Sequence, residues 1–368
     1  MSQRAWVATR KGLFELQRGA GGAWQLARSS FLGEPVSMLL APAAGETRML
    51  AALNLGHFGV KLHVSDDAGR SWRETTCPAY PPQPADTPTA TNAMGATPPA
   101  WKLQQVWSMA QAHGRVWAGT LPGGLFESDD FGATWTLNRP LWDAPERLEW
   151  MGGGYDVPGI HSICPHPQRP DELLLGVSCG GVWRTRDRGA SWSLSARGMK
   201  ADFMPPELAE NQNAQDPHLL ARCPGQPDVL WCQHHGGIWR SQDNAANWQR
   251  VLGAPVSDFG FAVAVHPRDA DTAWFVPAQA DQCRVPVDAA LVVNRTRDGG
   301  QSFDTLRDGL PQQGAYDLVY RHGLALADDG QTLMMGSTTG GLWASHDGGD
   351  HWAAVPLRLP PIAAVRFG

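Results

Sequence analysis

The sequence predicts an all-β fold: a seven-bladed β-propeller of four-stranded blades. The first of three observations is a phrase that recurs six times, Ser/Thr-x-Asp-x-Gly-x-Ser/Thr-Trp in its fullest form. Its aspartates are Asp67, Asp130, Asp187, Asp243, Asp298 and Asp347, spaced by 63, 57, 56, 55 and 49 residues. A period of this size marks a repeat architecture. The second is the set of short apolar runs between the phrases, β-branched or aromatic and bounded by Gly or Pro, which read as strands. The third is that the two ends of the chain carry complementary pieces of one further blade.

The elements follow in order, with strands A to D named from the central axis outward. Residues 4–10, 12–16 and 24–27 read as strands B, C and D of the first blade, with a decayed turn at 19–22. Strand A of that blade is missing at the start of the chain, and residues 362–367 supply it. Closure by this pairing removes open sheet edges. Strand A of later blades is read at 159–164, 217–221, 259–265 and 316–320. Strand B is read at 115–119, 173–177, 229–232 and 333–336, and strand C at 124–127, 181–184, 237–240 and 341–344. The repeated phrase is the turn from C to D: Asp and Ser/Thr bond nearby backbone N–H groups, Gly supplies the positive φ of a tight reversal, and the aromatic opens strand D. Residues 1–368 therefore form a single domain.

The 41 Gly, 29 Pro and 17 Trp suit a turn-rich protein with little helix. A net charge of −6 without a basic run argues against nucleic acid as a partner. No apolar segment approaches 18 residues, and residues 1–11 lack a secretory leader's apolar stretch, so no membrane partner and a cytoplasmic location are expected. Six cysteines without CxxC spacing read as reduced thiols. The Ala/Gly/Pro/Arg-rich wording suggests a bacterial source.

Strand direction divides the candidate residues between the two faces of the disc. The repeated aspartates share one face with the A–B turns and are scaffold, as are His166, His266 and His322, read as turn or core histidines. The other face gathers the B–C turns and the long D–A connections 73–104, 136–158 and 193–215. Loops of that length in a compact domain are functional or disordered, and 78–100 reads as a mobile lid.

On this face His161 and His218 stand near the start of adjacent A strands, His234 and His235 at one B–C turn, and His57 at another. These five imidazoles are the candidate ligands of a divalent metal (Zn, Mn or Fe); His161 and His218 are also candidates for acid–base work. Glu149 and Asp156 are candidate proton carriers, and Asp216, just before Pro217-His218, either orients the imidazole or caps the strand. Arg10, Lys11 and Arg284 could clamp an anionic group, with Trp107 and Tyr155 as further substrate contacts. The expectation is a hydrolase acting on a small polar or anionic substrate, or on a carbohydrate, at the channel mouth. A non-catalytic platform built on Trp101, Trp107, Trp142 and Trp150 is the alternative.

The repeated phrase resembles the Asp-box, or BNR repeat, of sialidase-like propellers. Similar boxes occur in sortilin-type receptors, xyloglucanase-like glycoside hydrolases and photosystem II assembly factors, and the chain as a whole looks like bacterial proteins called exo-alpha-sialidase or BNR-repeat glycosyl hydrolase. The resemblance covers nearly the whole chain and implies the propeller fold. As an activity it implies a glycoside hydrolase with two carboxylates facing each other across the mouth. Sialidases also carry an Arg-Ile-Pro motif and an arginine triad; this chain has no Arg-Ile-Pro, and only Arg10 and Arg284 answer to the triad.

Overall fold

A computed structural model describes residues 3–43, 45–87, 91, 99–152 and 155–368. Seven four-stranded antiparallel sheets follow one another along the chain. Each innermost strand packs against its counterparts in the two flanking blades, and the contacts run through all seven to close a ring. The first blade is completed by Ile362–Phe367, which pairs antiparallel with Arg4–Thr9 (Ala5 opposite Phe367, Val7 opposite Val365), as expected from the two ends. Among the described residues no helix is long and apolar enough to cross a membrane.

The repeated phrase does more than turn the chain. In the third blade Ser128 Oγ donates to Asp130 Oδ1 at 2.8 Å and accepts from Gly132 N–H. The same carboxylate accepts from Thr134 N–H and Oγ1. Gly132 sits at φ +85°, a left-handed conformation that favours glycine. These hydrogen bonds hold the Asp130 carboxyl down at about 2. The phrase also joins neighbouring blades. Thr75, Asn138 and Ser195 each donate to a carbonyl of the next blade's turn (Gly132, Gly189 and Ala245). In return, Trp135, Trp192 and Trp248 donate their indole N–H to Thr76, Asn138 and Ser195 of the preceding blade. Between blades the core is filled by large rings such as Trp6, Trp183, Trp231 and Trp274, each at most 2% exposed.

Two features of the innermost strands position the functional face. Six of them carry a register shift against their neighbour, which leaves one or two residues bulged. The bulged residues include Ser37, Trp107, His161, His218, Phe261 and Ala363. A bulge re-aims a side chain out of the alternating pleat. Here it gathers rings from distant stretches of chain: Trp107 meets His161 at 5.4 Å, and His218 stacks on Phe261 at 4.4 Å.

The second feature corrects an expectation. The innermost strand of the seventh blade is Leu324–Leu326, not residues 316–320. The Tyr-Asp-Leu-Val-Tyr run imitates a strand, but Tyr316 is exposed, Asp317 is held by Ser337 and Thr339, and Leu318 and Val319 fill core space as loop. The innermost strand thus begins eight residues later than expected, which moves His322 away from the turn face. It lies instead beside Trp107 and His161, with Nδ1 3.2 Å from Arg366 Nη2.

Candidate functional site

A cavity of about 510 Å³ opens among the fourth, fifth and sixth blades. Its floor carries Asp216, His218 and His235, and its walls include Met151, Cys179 and Phe203, with Asp281 and Arg284 at the rim. This is the size of a small-molecule site.

Three donor atoms converge there, one each from Asp216, His218 and His235, all within 4.8 Å of one another. His218 Nδ1–H donates to the Gly260 carbonyl at 2.6 Å, so in the neutral ring Nε2 carries the lone pair. That nitrogen faces Asp216 Oδ2 at 3.4 Å, and His235 Nδ1 faces the same oxygen at 3.4 Å. Asp216 Oδ1 is fixed by Cys179 N–H at 3.1 Å. Burial pushes the Asp216 carboxyl up, but the His218 and His235 imidazoles and the Arg321 charge outweigh it and hold it well below the usual carboxylate range. Burial pulls the His218 imidazole down against the opposing pull of Asp216. Asp216 Oδ2 therefore faces one nitrogen of each of two imidazoles. A spacing of 3.4 Å is long for a hydrogen bond. It matches two ligands sharing one cation, which lie roughly 3.4 Å apart at metal–ligand distances near 2.05 Å in tetrahedral geometry. The carbonyl behind His218 is the outer support that metal-binding histidines characteristically use.

The predicted residues divide accordingly. His218 and His235 belong to the cluster, and the third donor is Asp216 rather than a third histidine. His234 is a correction: Asp216 N–H points at its Nε2 (3.1 Å) and Gly236 N–H at its Nδ1 (2.9 Å), so it braces the turn that presents His235. Burial pulls its ring down to about 3. His234→Ala is expected to cost about 1–3 kcal/mol of stability through a buried donor left without an acceptor, whereas His235→Ala, at the cavity surface, should leave the melting temperature nearly unchanged; paired thermal melts of the two variants check this.

His57 is also a correction. It lies exposed on the turn Gly56–Phe58 of the second blade, packed on Phe58, outside the cluster. His161 is fully buried against Trp107, with Nδ1 at 2.9 Å from Ser162 Oγ and Nε2 unpartnered. It lies near Arg321 and not among the three donors. Glu149 is exposed and accepts from Asn213, whose Oδ1 takes the Trp150 indole N–H, so its role is to pin a loop. Asp156 is exposed and does not line the cavity. Arg10 and Lys11 are exposed on the first blade, away from the lining. Arg284 does line it, ion-paired to Asp281 and lying over the Phe261 ring at 5.4 Å. Tyr155 packs edge-on to Trp107 at 5.1 Å. Trp142 and Trp150 are at most 3% exposed and Trp107 is 7% exposed, so they do not form an open platform. Of the expected lid at 78–100, residues 88–90 and 92–98 lie outside the described residues, as do Gly153 and Gly154.

Arg321 is the residue that sequence reading missed. It is 5% exposed, and its guanidinium carbon lies 4.8 Å over Trp107 and 5.4 Å over Phe261. It stands close enough to Asp216 for the two charges to act on each other. The signal was in the chain: Gly323 precedes the true strand of the seventh blade as Gly159 precedes that of the fourth.

No family model matches the chain. An oligoxyloglucan-reducing end-specific xyloglucanase of Emericella nidulans is 25% identical over 205 residues, 53% of this chain and 24% of that protein. The chain thus spans about a quarter of the length of the curated relative it matches. Among solved structures, a GH74 xyloglucanase from Xanthomonas campestris aligns with a TM-score of 0.64 at 17% identity, over 100% of this chain and 52% of its own. YCF48 bound to a D1 peptide aligns at 0.53 and 14% identity, over 95% and 88%. This protein is a seven-bladed β-propeller with xyloglucanases among its neighbours. At these identities the structural likeness extends to the fold.

Proposed function

We propose that the propeller is a metal-dependent hydrolase acting on a small polar or anionic substrate in the cavity above Asp216, His218 and His235. The observation that carries this reading is the pair of 3.4 Å approaches to Asp216 Oδ2, one from an imidazole whose other nitrogen is tied to a backbone carbonyl. Two imidazoles and one carboxylate suit Zn, Mn or Fe. A cation held there would supply Lewis acidity and an acidified water. The chain's own part is to hold Asp216 ionised and His218 in one tautomer, with Arg284 positioned for the polar end of a substrate.

A glycoside hydrolase is the second reading, favoured by the xyloglucanase neighbours and by the presence of both Asp216 and Asp281 in the cavity lining. It sits less well with the geometry. Asp281 is paired with Arg284, and a carboxyl held as low as Asp216 does not serve as the general acid that glycosidic cleavage needs.

Elemental analysis of protein as purified, followed by calorimetric titration of EDTA-treated protein with Zn²⁺, Mn²⁺ and Fe²⁺, tests the first reading. Near one equivalent of tightly bound metal is expected. Protein that binds none of the three, yet cleaves xyloglucan oligosaccharides in EDTA, would replace the first reading with the second.

A further inference from the structure

The cavity has two unlike sides, and they come from different blades. Met151 belongs to the connection that enters the fourth blade, and Phe203, Met204 and Pro205 to the connection that leaves it. Asp281, Gln282 and Arg284 belong to the insertion in the sixth blade. The fifth blade, between them, carries the Asp216–His218–His235 cluster.

The fourth-blade side offers hydrocarbon and thioether surface. Phe203 is 42% exposed, and Met151 and Met204 are half-buried. The segments that carry them are fastened. Met151 N–H donates to the Cys179 carbonyl at 3.1 Å, Ala201 N–H to the Ala209 carbonyl at 2.8 Å, and Met204 N–H to the Ala201 carbonyl at 3.0 Å. Asp202, next to Phe203, pairs with Lys200 and Arg250, each at 3.3 Å. The Phe203 ring stands edge-on to His235 at 4.7 Å, so the apolar side begins directly at the donor cluster.

Single exposed apolar side chains are ordinary. Four that converge on one concave site, beside a few polar groups, are the make-up of a pocket that buries an apolar part of its ligand. Methionine suits that task, because its flexible thioether moulds to the shape it meets. A group that is polar all round fits poorly. Sugar hydroxyls laid against Met151, Met204 and Pro205 would give up water without gaining side-chain partners. A hydrocarbon group gives up nothing there.

We infer that the substrate is amphipathic. A compact apolar group, of phenyl or branched-alkyl size, lies against Met151, Phe203 and Met204; the polar end faces Asp281, Gln282 and Arg284; and the reacting group sits over the fifth-blade cluster between them. The inference rests on the reading of this cavity as a substrate site, but not on the metal. It makes Phe203 and Met204 specificity-determining residues.

The test is a ligand-observed NMR titration of the EDTA-treated full chain, before and after loading with Zn²⁺, using benzohydroxamate, acetohydroxamate and xylose. The two hydroxamates share a head group and differ by phenyl for methyl. Their affinity ratio therefore reads the apolar side, whereas the gain on zinc loading reads the donor cluster. Benzohydroxamate should bind the wild type roughly tenfold or more tightly than acetohydroxamate in both states, since burying an apolar group of that size supplies at least this factor. Phe203→Ala and Met204→Gln should each shrink the ratio about threefold or more, the worth of one methylene-sized contact. Leu26→Ala, at a similarly exposed apolar residue on the first blade, should leave it unchanged. Should Phe203→Ala disturb the fold, Met204→Gln carries the comparison. A wild-type ratio near one, a ratio that neither cavity variant moves, an equal loss in Leu26→Ala, or xylose bound as tightly as benzohydroxamate would each overturn the inference. A gain on zinc loading with a ratio near one leaves the proposed function standing and removes this inference; a Phe203-dependent ratio without any gain on zinc loading does the reverse.

Discussion

Asp216→Asn should lower divalent-metal affinity by on the order of a hundredfold or more, beyond the roughly 10–100-fold that loss of an outer-shell partner costs, while the fold survives. The amide keeps an oxygen for Cys179 N–H, so the local turn retains its anchor. It removes the negative charge that the proposed cation site needs. It also adds N–H donors facing the His218 Nε2 lone pair, so the metal-free variant should melt no lower than metal-free wild type. That combination, affinity lost and apo stability kept, separates a ligand from a structural carboxylate. Calorimetric titration and thermal melts with and without EDTA measure both. A variant that takes up metal as the wild type does would remove Asp216 from the ligand set.

Deleting residues 361–368 is expected to have the largest effect on stability: no cooperatively folded protein at 37 °C. The segment supplies the innermost strand of the first blade and the pairing that closes the ring. Ile362, Ala364 and Val365 are buried, and their loss opens the core that Val7, Leu342 and Met334 share with them. Truncating one large buried aliphatic side chain costs about 2–5 kcal/mol, and a domain's whole stability is about 5–15 kcal/mol. The cut also exposes the paired edge of Arg4–Thr9, an invitation to aggregation. Far-UV circular dichroism with a melting curve would show it; a truncated chain that melts cooperatively within a few degrees of wild type would mean that the other six blades close the ring without this strand.

The fold was legible in the sequence because its determinants are local and repeated. Each repeated turn carries its own hydrogen-bonding partners within eight residues, as Ser65 to Trp72 or Ser128 to Trp135 shows. Closure was legible because only one spare strand matched only one incomplete blade. The site was legible in part. Strand direction put the start of an A strand and a B–C turn on one face and so brought His218 and His235 of the fifth blade to one mouth, but which atoms meet depends on bulges, and a bulge has no periodic signature. Of the adjacent pair His234 and His235, one ring turned inward onto backbone N–H groups and the other into the cavity.

By itself, then, the sequence determined the seven-bladed ring, its closure and the face on which the imidazoles gather, since repeats and turns act over a few residues. Tertiary structure alone decided the rest: that Asp216 completes the donor set, that His57 and His161 stand apart from it, and that Arg321 is buried against Trp107 and Phe261. The places of His161 and Arg321 hang on a side chain more than 50 residues away along the chain, Trp107, whose approach is set by how whole blades pack around the axis.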